Sequence, residues 1–150
     1  MTVVIVIINS TNNDELEIAS VSNINDGIVL EDLKEISNLN SNEKFVILNI
    51  WASWCIPCQN EVSELKILSE TKEYYVIGIL VEDSKENGKE FIIKNEISYQ
   101  NILDNTTAES ILIQFVWSGI PTTLVLNDNL EIISTINGEI TANEIFELTR

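Results

Sequence analysis

Phe45-Val-Ile-Leu-Asn-Ile-Trp-Ala-Ser-Trp-Cys-Ile-Pro-Cys58 is the stretch on which the fold of this chain turns. Phe45–Trp51 is an apolar run of strand length, as expected of a strand buried on both faces. The two cysteines follow at once, and Pro57 between them suits the first turn of a helix. A strand feeding a helix through Cys-x-x-Cys puts Cys55 at the helix N-terminus. Unpaired backbone N–H groups there favour its thiolate. Cys58 lies one turn further in, placed to open or close a disulfide with it. Cys55 is then the attacking sulfur and Cys58 the one that resolves a mixed disulfide. Half a zinc site and two buried thiols are the alternatives. Zinc takes four ligands, and the chain has no other cysteine and no histidine. No metal and no cofactor are therefore called for.

Working outward, the pattern from Lys44 onward alternates strand and helix. A helix is expected from Pro57 to about Glu73, with Val62, Leu65, Ile67 and Leu68 inward. Glu61, Glu64, Lys66 and Glu70 fall on its outer side. Tyr74–Val81 reads as a second buried strand. Ser84–Asn95 reads as a helix with Phe91, Ile92 and Ile93 inward. Thr106–Val116 reads as another helix, capped by Asn105 or Thr106. Strands Thr122–Leu126 and Leu130–Thr135 flank the turn-forming Asn127-Asp128-Asn129. Thr141–Thr149 is a closing helix, with Thr141 and Glu144 spaced as a capping box. Alternating elements followed by a late hairpin predict an α/β fold. Its central mixed sheet would have a parallel portion and helices on both faces.

Composition narrows the function. The chain has 150 residues, 45% of them apolar, which suits one folded domain with a real core. Its net charge is −16, from eight basic and 24 acidic residues. Nucleic-acid affinity rests on Lys and Arg, so no nucleic-acid partner is expected. The first 43 residues carry eight acids against one base. Val3–Ile8 and Glu17–Val21 could pair as strands around a polar loop, making residues 1–26 a strand-loop-strand extension. Val3–Ile8 is too short to cross a bilayer, which takes about 20 residues. No basic residue precedes it, so no complete targeting signal is expected, and an anchor upstream of Thr2 is left open.

The motif Trp51-Ala-Ser-Trp-Cys-Ile-Pro-Cys58 resembles the active site of thioredoxin-fold thiol–disulfide oxidoreductases, in particular the TlpA/ResA/DsbE-like family. Ile120-Pro121-Thr122-Thr123 is similar to that family's cis-proline loop. Ile28–Asp32 is similar to its first hairpin strand. The resemblance covers residues 27–150, a thioredoxin-like domain. It implies a cis peptide bond before Pro121, with Ile120 facing the cysteines. It also implies substrate contacts from Trp54, Ile56, Pro57, Ile120 and Pro121. The partners it implies are proteins bearing cysteine thiols or disulfides, and an upstream redox partner. It points to an extracytoplasmic reductant, in cytochrome c maturation or general disulfide reduction. A disulfide-forming oxidant, and a non-catalytic thioredoxin-like binding domain with an acidic docking region, are the alternatives. A thioredoxin-superfamily peroxidase would carry a Thr-x-x-Cys setting, which is absent.

The resemblance also raises the question of proton traffic. Asn49 stands where ordinary thioredoxins carry a buried Asp, and an amide does not titrate. In ResA-like proteins a carboxylate near the end of the next strand takes that part. This predicts Asp83, with Glu82 second, because a carboxyl near a buried thiol has a raised pKa and can shuttle its proton. Glu61 matches a Glu that family members often carry three residues past the second cysteine. Ser63 stands where many have Pro, so a smaller kink, or none, is expected in the active-site helix.

Overall fold

The computed structural model describes residues 42–150, and the expected extension over residues 1–26 and the strand at Ile28–Asp32 lie outside the described residues. The apolar run Phe45–Trp51 forms β1, and Tyr74–Leu80 forms β2 parallel to it. Gln100–Ile102 is β3, Thr122–Asn127 is β4 and Ile132–Asn137 is β5. The sheet order is β3-β2-β1-β4-β5, with β4 antiparallel to β1 and β5 antiparallel to β4. β1 is thus central, and its two faces alternate along the chain. Val46, Leu48 and Ile50 face one core, and Ile47 faces the other.

Helices Ile56–Asn60 (α1), Val62–Glu70 (α2), Lys85–Lys94 (α3), Asn105–Leu112 (α4) and Ala142–Leu148 (α5) complete the fold. Ala108, Ile111 and Leu112 of α4 pack on the Val46–Leu48–Ile50 face. Leu65 and Leu68 of α2 and Ile145 of α5 pack on the Ile47 face. The mixed sheet with helices on both faces is the architecture expected from the sequence. A third cluster, at the C-terminal end of β1 and β2, joins Trp51, Cys55, Cys58, Val62, Leu80 and Phe91. Ligand and catalytic sites of α/β sheets gather at that end.

Several expectations are corrected. The stretch from Pro57 to Glu73 is two helices broken at Glu61, even without a proline at 63. The Glu61 N–H still bonds back to the Pro57 carbonyl, and the Glu61 carbonyl takes the N–H groups of Glu64 and Leu65. Glu61 was expected outside, yet it is 1% exposed, whereas Ile67 is largely exposed. On α3, Phe91 and Gly88 face inward and Ile93 stands out in solvent, because the buried stripe advances by three residues. Asp104, not Asn105 or Thr106, caps α4 by accepting from the Thr107 N–H. That helix stops at Leu112, since tight turns from Gln114 and Phe115 swing Phe115 into the core. β5 begins two residues later than expected because the turn after β4 runs on through Leu130, which adopts a positive φ of 62°. β3 escaped sequence reading: three residues with two polar side chains carry no strand pattern. The capping box of α5 is present as expected.

Candidate active site

The end of β1 delivers Ala52-Ser53-Trp54 as a short turn, closed by the Cys55 N–H donating to the Ala52 carbonyl. Cys55 then serves as N-cap of α1, with Pro57 in its first turn. Its Sγ accepts the backbone N–H of Cys58 at 3.2 Å. The two sulfurs are bonded to each other at 2.08 Å. Both cysteines are buried in this oxidised state, at 4% and 3% exposure.

The surface around the pair is apolar. Trp54 and Ile56 are more than half exposed, and Pro57 is exposed beside them. The Ile120–Pro121 peptide bond is cis, and half-buried Ile120 packs against the cluster that contains both cysteines. Trp51, by contrast, is a core residue. Its ring lies 5.0 Å from that of Phe91, and its Nε1 donates to Asn101 Oδ1 at 3.0 Å. Gly78 makes room for that bond, because a Cβ there would fall 2.0 Å from Asn101 Oδ1.

Glu61, three residues beyond Cys58, is the carboxylate of the buried interior. Asn49, on the same face of β1 as Trp51, donates from Nδ2 to Glu61 Oε1 at 2.7 Å and to Thr123 Oγ1 at 3.0 Å. The Ile140 N–H donates to Glu61 Oε2 at 3.0 Å. The carboxyl therefore ties the end of α1 to the central strand and to the loop before α5, and Asn49 carries the link on to Thr123 in the strand after the cis-proline. Burial pushes its pKa up from 4.5 to about 7, against the hydrogen bonds from Asn49 and Ile140 that favour the charged form. The nearby Glu139 charge raises it further.

Asp83 and Glu82 are placed differently from expectation. The Asp83 carboxylate accepts from both the N–H and the hydroxyl of Ser53, from the Ser84 N–H and from Asn87 Nδ2. Slight burial works to raise its pKa, but these bonds, Ser53 first, outweigh it and hold the group below the usual range. A carboxylate so held keeps its charge at neutral pH. It staples the active-site turn to the start of α3. Glu82 is exposed, with a positive φ of 51°, and contributes its backbone carbonyl, which accepts from Trp54 Nε1 at 3.1 Å. The raised carboxyl sought at the end of β2 is instead Glu61. Its sequence signal was its spacing from Cys58. The helical pattern concealed it, because it assumed an unbroken helix with Glu61 on the wet side.

Known proteins resemble this chain in sequence and fold. The AhpC/TSA family model matches residues 25–135. Sporulation thiol-disulfide oxidoreductase A of Bacillus subtilis is 27% identical over 122 residues, covering 77% of this chain and 72% of that protein. Thiol-disulfide oxidoreductase ResA of the same organism is 27% identical over 128 residues, covering 79% and 68%. The crystal structure of a secreted thiol-disulfide isomerase from Corynebacterium glutamicum superposes with a TM-score of 0.64 at 31% identity, covering 77% of this chain and 71% of that one. The family match takes in well over half of the sequence, so the chain belongs to the AhpC/TSA family, within which it is a thioredoxin-fold thiol–disulfide oxidoreductase.

Proposed function

We propose that the chain is a reductant of protein disulfides, with Cys55 as nucleophile, Cys58 as resolving thiol and Glu61 as proton acceptor. In the reduced protein the Cys55 thiolate attacks a substrate disulfide. A Cys55–substrate mixed disulfide forms, and one substrate thiolate leaves. Glu61 takes the Cys58 proton, and the resulting thiolate attacks Cys55 Sγ. The Cys55–Cys58 disulfide closes and the second substrate thiolate leaves, taking up a proton. Two electrons pass from the protein to the substrate, and a dithiol partner must return them. Trp54, Ile56, Pro57 and half-buried Ile120 form the apolar surface on which the substrate lies, with Pro121 buried behind them. Pro121 has no N–H, which leaves the backbone of Ile120 free to pair with a substrate strand.

The observation that carries this reading is a buried carboxyl with a pKa of about 7, one helical turn from the cysteine that must lose its proton. A general acid–base group works best when its pKa lies near the working pH. Its charge also disfavours a thiolate at Cys58. Pairs with poorly stabilised thiolates lie toward the reducing end of the range, which supports reduction over oxidation. The name of the C. glutamicum protein supports a site of action outside the cytoplasmic membrane. Among the described residues no helix is long and apolar enough to cross a membrane. The reading is tested by trapping. Reduced Cys58→Ser, challenged with intact disulfide-bonded insulin, should accumulate a mixed disulfide between Cys55 and an insulin chain, and reduced Cys55→Ser should accumulate none. A trapped complex on Cys58 in the second variant would reverse the assignment.

A further inference from the structure

Across the Glu82–Asp83 wall that holds the Ser53–Trp54 turn lies a cleft of about 630 Å³ that the exchange chemistry does not use. The turn after β2, with Glu82 and Asp83, forms one wall. Glu109, Leu112 and Ile113 of α4 and the following turn, together with Trp117, form the other. We infer that this cleft is a docking site for a basic–apolar segment of the substrate polypeptide, a few residues removed from the reacting cysteine. The inference rests on the proposed function for the nature of the partner, and on this cleft for its sequence character.

Three observations support it. First, the cleft is apolar at its base and one-signed at its rim. Ile113 is 82% exposed, and Leu112 and Trp117 line the cleft with it. Glu82, Asp83 and Glu109 are the ionisable residues lining it, and no Lys or Arg does so. A Lys or Arg side chain fits such a surface, laying its aliphatic stem on apolar groups and its charge against carboxylates. Second, Asp83 remains charged at neutral pH, because its hydrogen bonds hold the carboxyl in the ionised form. Third, the cleft is mechanically continuous with the active site. Trp54 donates to the Glu82 carbonyl, and Ser53 donates to Asp83. A polypeptide whose cysteine meets Cys55 and whose chain crosses exposed Trp54 next reaches this wall. An acidic segment would instead meet three like charges, which is how such a rim rejects wrong partners.

Binding can be read without catalysis. Two fluorescent, cysteine-free peptides, identical except for Lys-Leu-Lys in one and Glu-Leu-Glu in the other, are titrated onto the oxidised protein by anisotropy at low salt. The Lys peptide should bind at least about tenfold more tightly, with the preference shrinking as salt rises. Glu109→Lys with Ile113→Ser should remove most of that preference. Glu90→Lys, on exposed α3 outside the cleft, carries the same charge reversal and should change it less than about twofold. Equal binding of the two peptides overturns the inference. So does an equal loss on Glu90→Lys, which would make the effect one of net charge. Concentration-dependent self-association abolished by the cleft variant would seat a second copy there and overturn it as well. Turnover of hydroxyethyl disulfide by the same protein reports separately on the redox reading, so the two can fail independently.

Discussion

Glu61 and Asp83 show how little a residue's type says about its charge. Both are carboxyls near the same turn, yet burial raises one to about 7 and hydrogen bonds hold the other below its usual range. The sign of each effect on stability follows. Because the folded pKa of Glu61 is raised, its contribution is most favourable below 4.5 and is lost as pH rises through about 7. A shift of that size corresponds to about 3 kcal/mol. Glu61→Gln should therefore gain stability relative to the parent as pH rises from 4.5 to 8, whatever its offset from losing the Ile140 N–H acceptor. Denaturant titrations across that range check it, and a pH-independent difference would place the ordinary pKa back on Glu61. Asp83→Asn acts the other way. It removes a charged acceptor from Ser53, Ser84 and Asn87 and should cost about 1–2 kcal/mol near neutral pH. It should leave the pH profile of disulfide reduction in place. A changed profile would return the proton-relay role to Asp83.

At the scale of the element, the instructive case is the break at Glu61. Apolar periodicity placed α2 correctly through Val62, Leu65 and Leu68, but periodicity does not register a backbone that restarts. The break turns one acidic side chain through to the sheet, where Asn49 donates to it and also to Thr123. A proline at 63 would fall in the first turn of α2, where proline is tolerated, rather than in a helix interior, where it costs about 3 kcal/mol. Ser63→Pro should therefore stay within about 1 kcal/mol of the parent in thermal or urea unfolding. A loss near 3 kcal/mol would mean that the helix is continuous through Glu61. The helix ends tell the same story: the capping box at Thr141–Glu144 could be read in sequence because its partners lie three residues apart. The end of α4 depends on the burial of Phe115, a tertiary contact that no local pattern carries.

Across the whole molecule, the mixed α/β sheet and the cysteine pair were legible from strong patterning and a short motif, and the cis-proline through the family resemblance. The network beneath the cysteines was not. It joins Asn49, Glu61, Thr123 and Ile140, which are up to 79 residues apart in pairwise bonds and converge only after the sheet has formed. On the proposed mechanism, that convergence makes proton transfer at Cys58 a property of the fold rather than of the Cys-x-x-Cys motif alone. The direct measurement is the rate of insulin disulfide reduction by the reduced protein against pH, for the parent and for Glu61→Gln. The parent should show an inflection near pH 7, and the variant a rate about ten- to a hundredfold lower near neutral pH with that inflection gone. Superimposable profiles of equal magnitude would contradict it, and would leave Glu61 a structural tie with no part in the exchange.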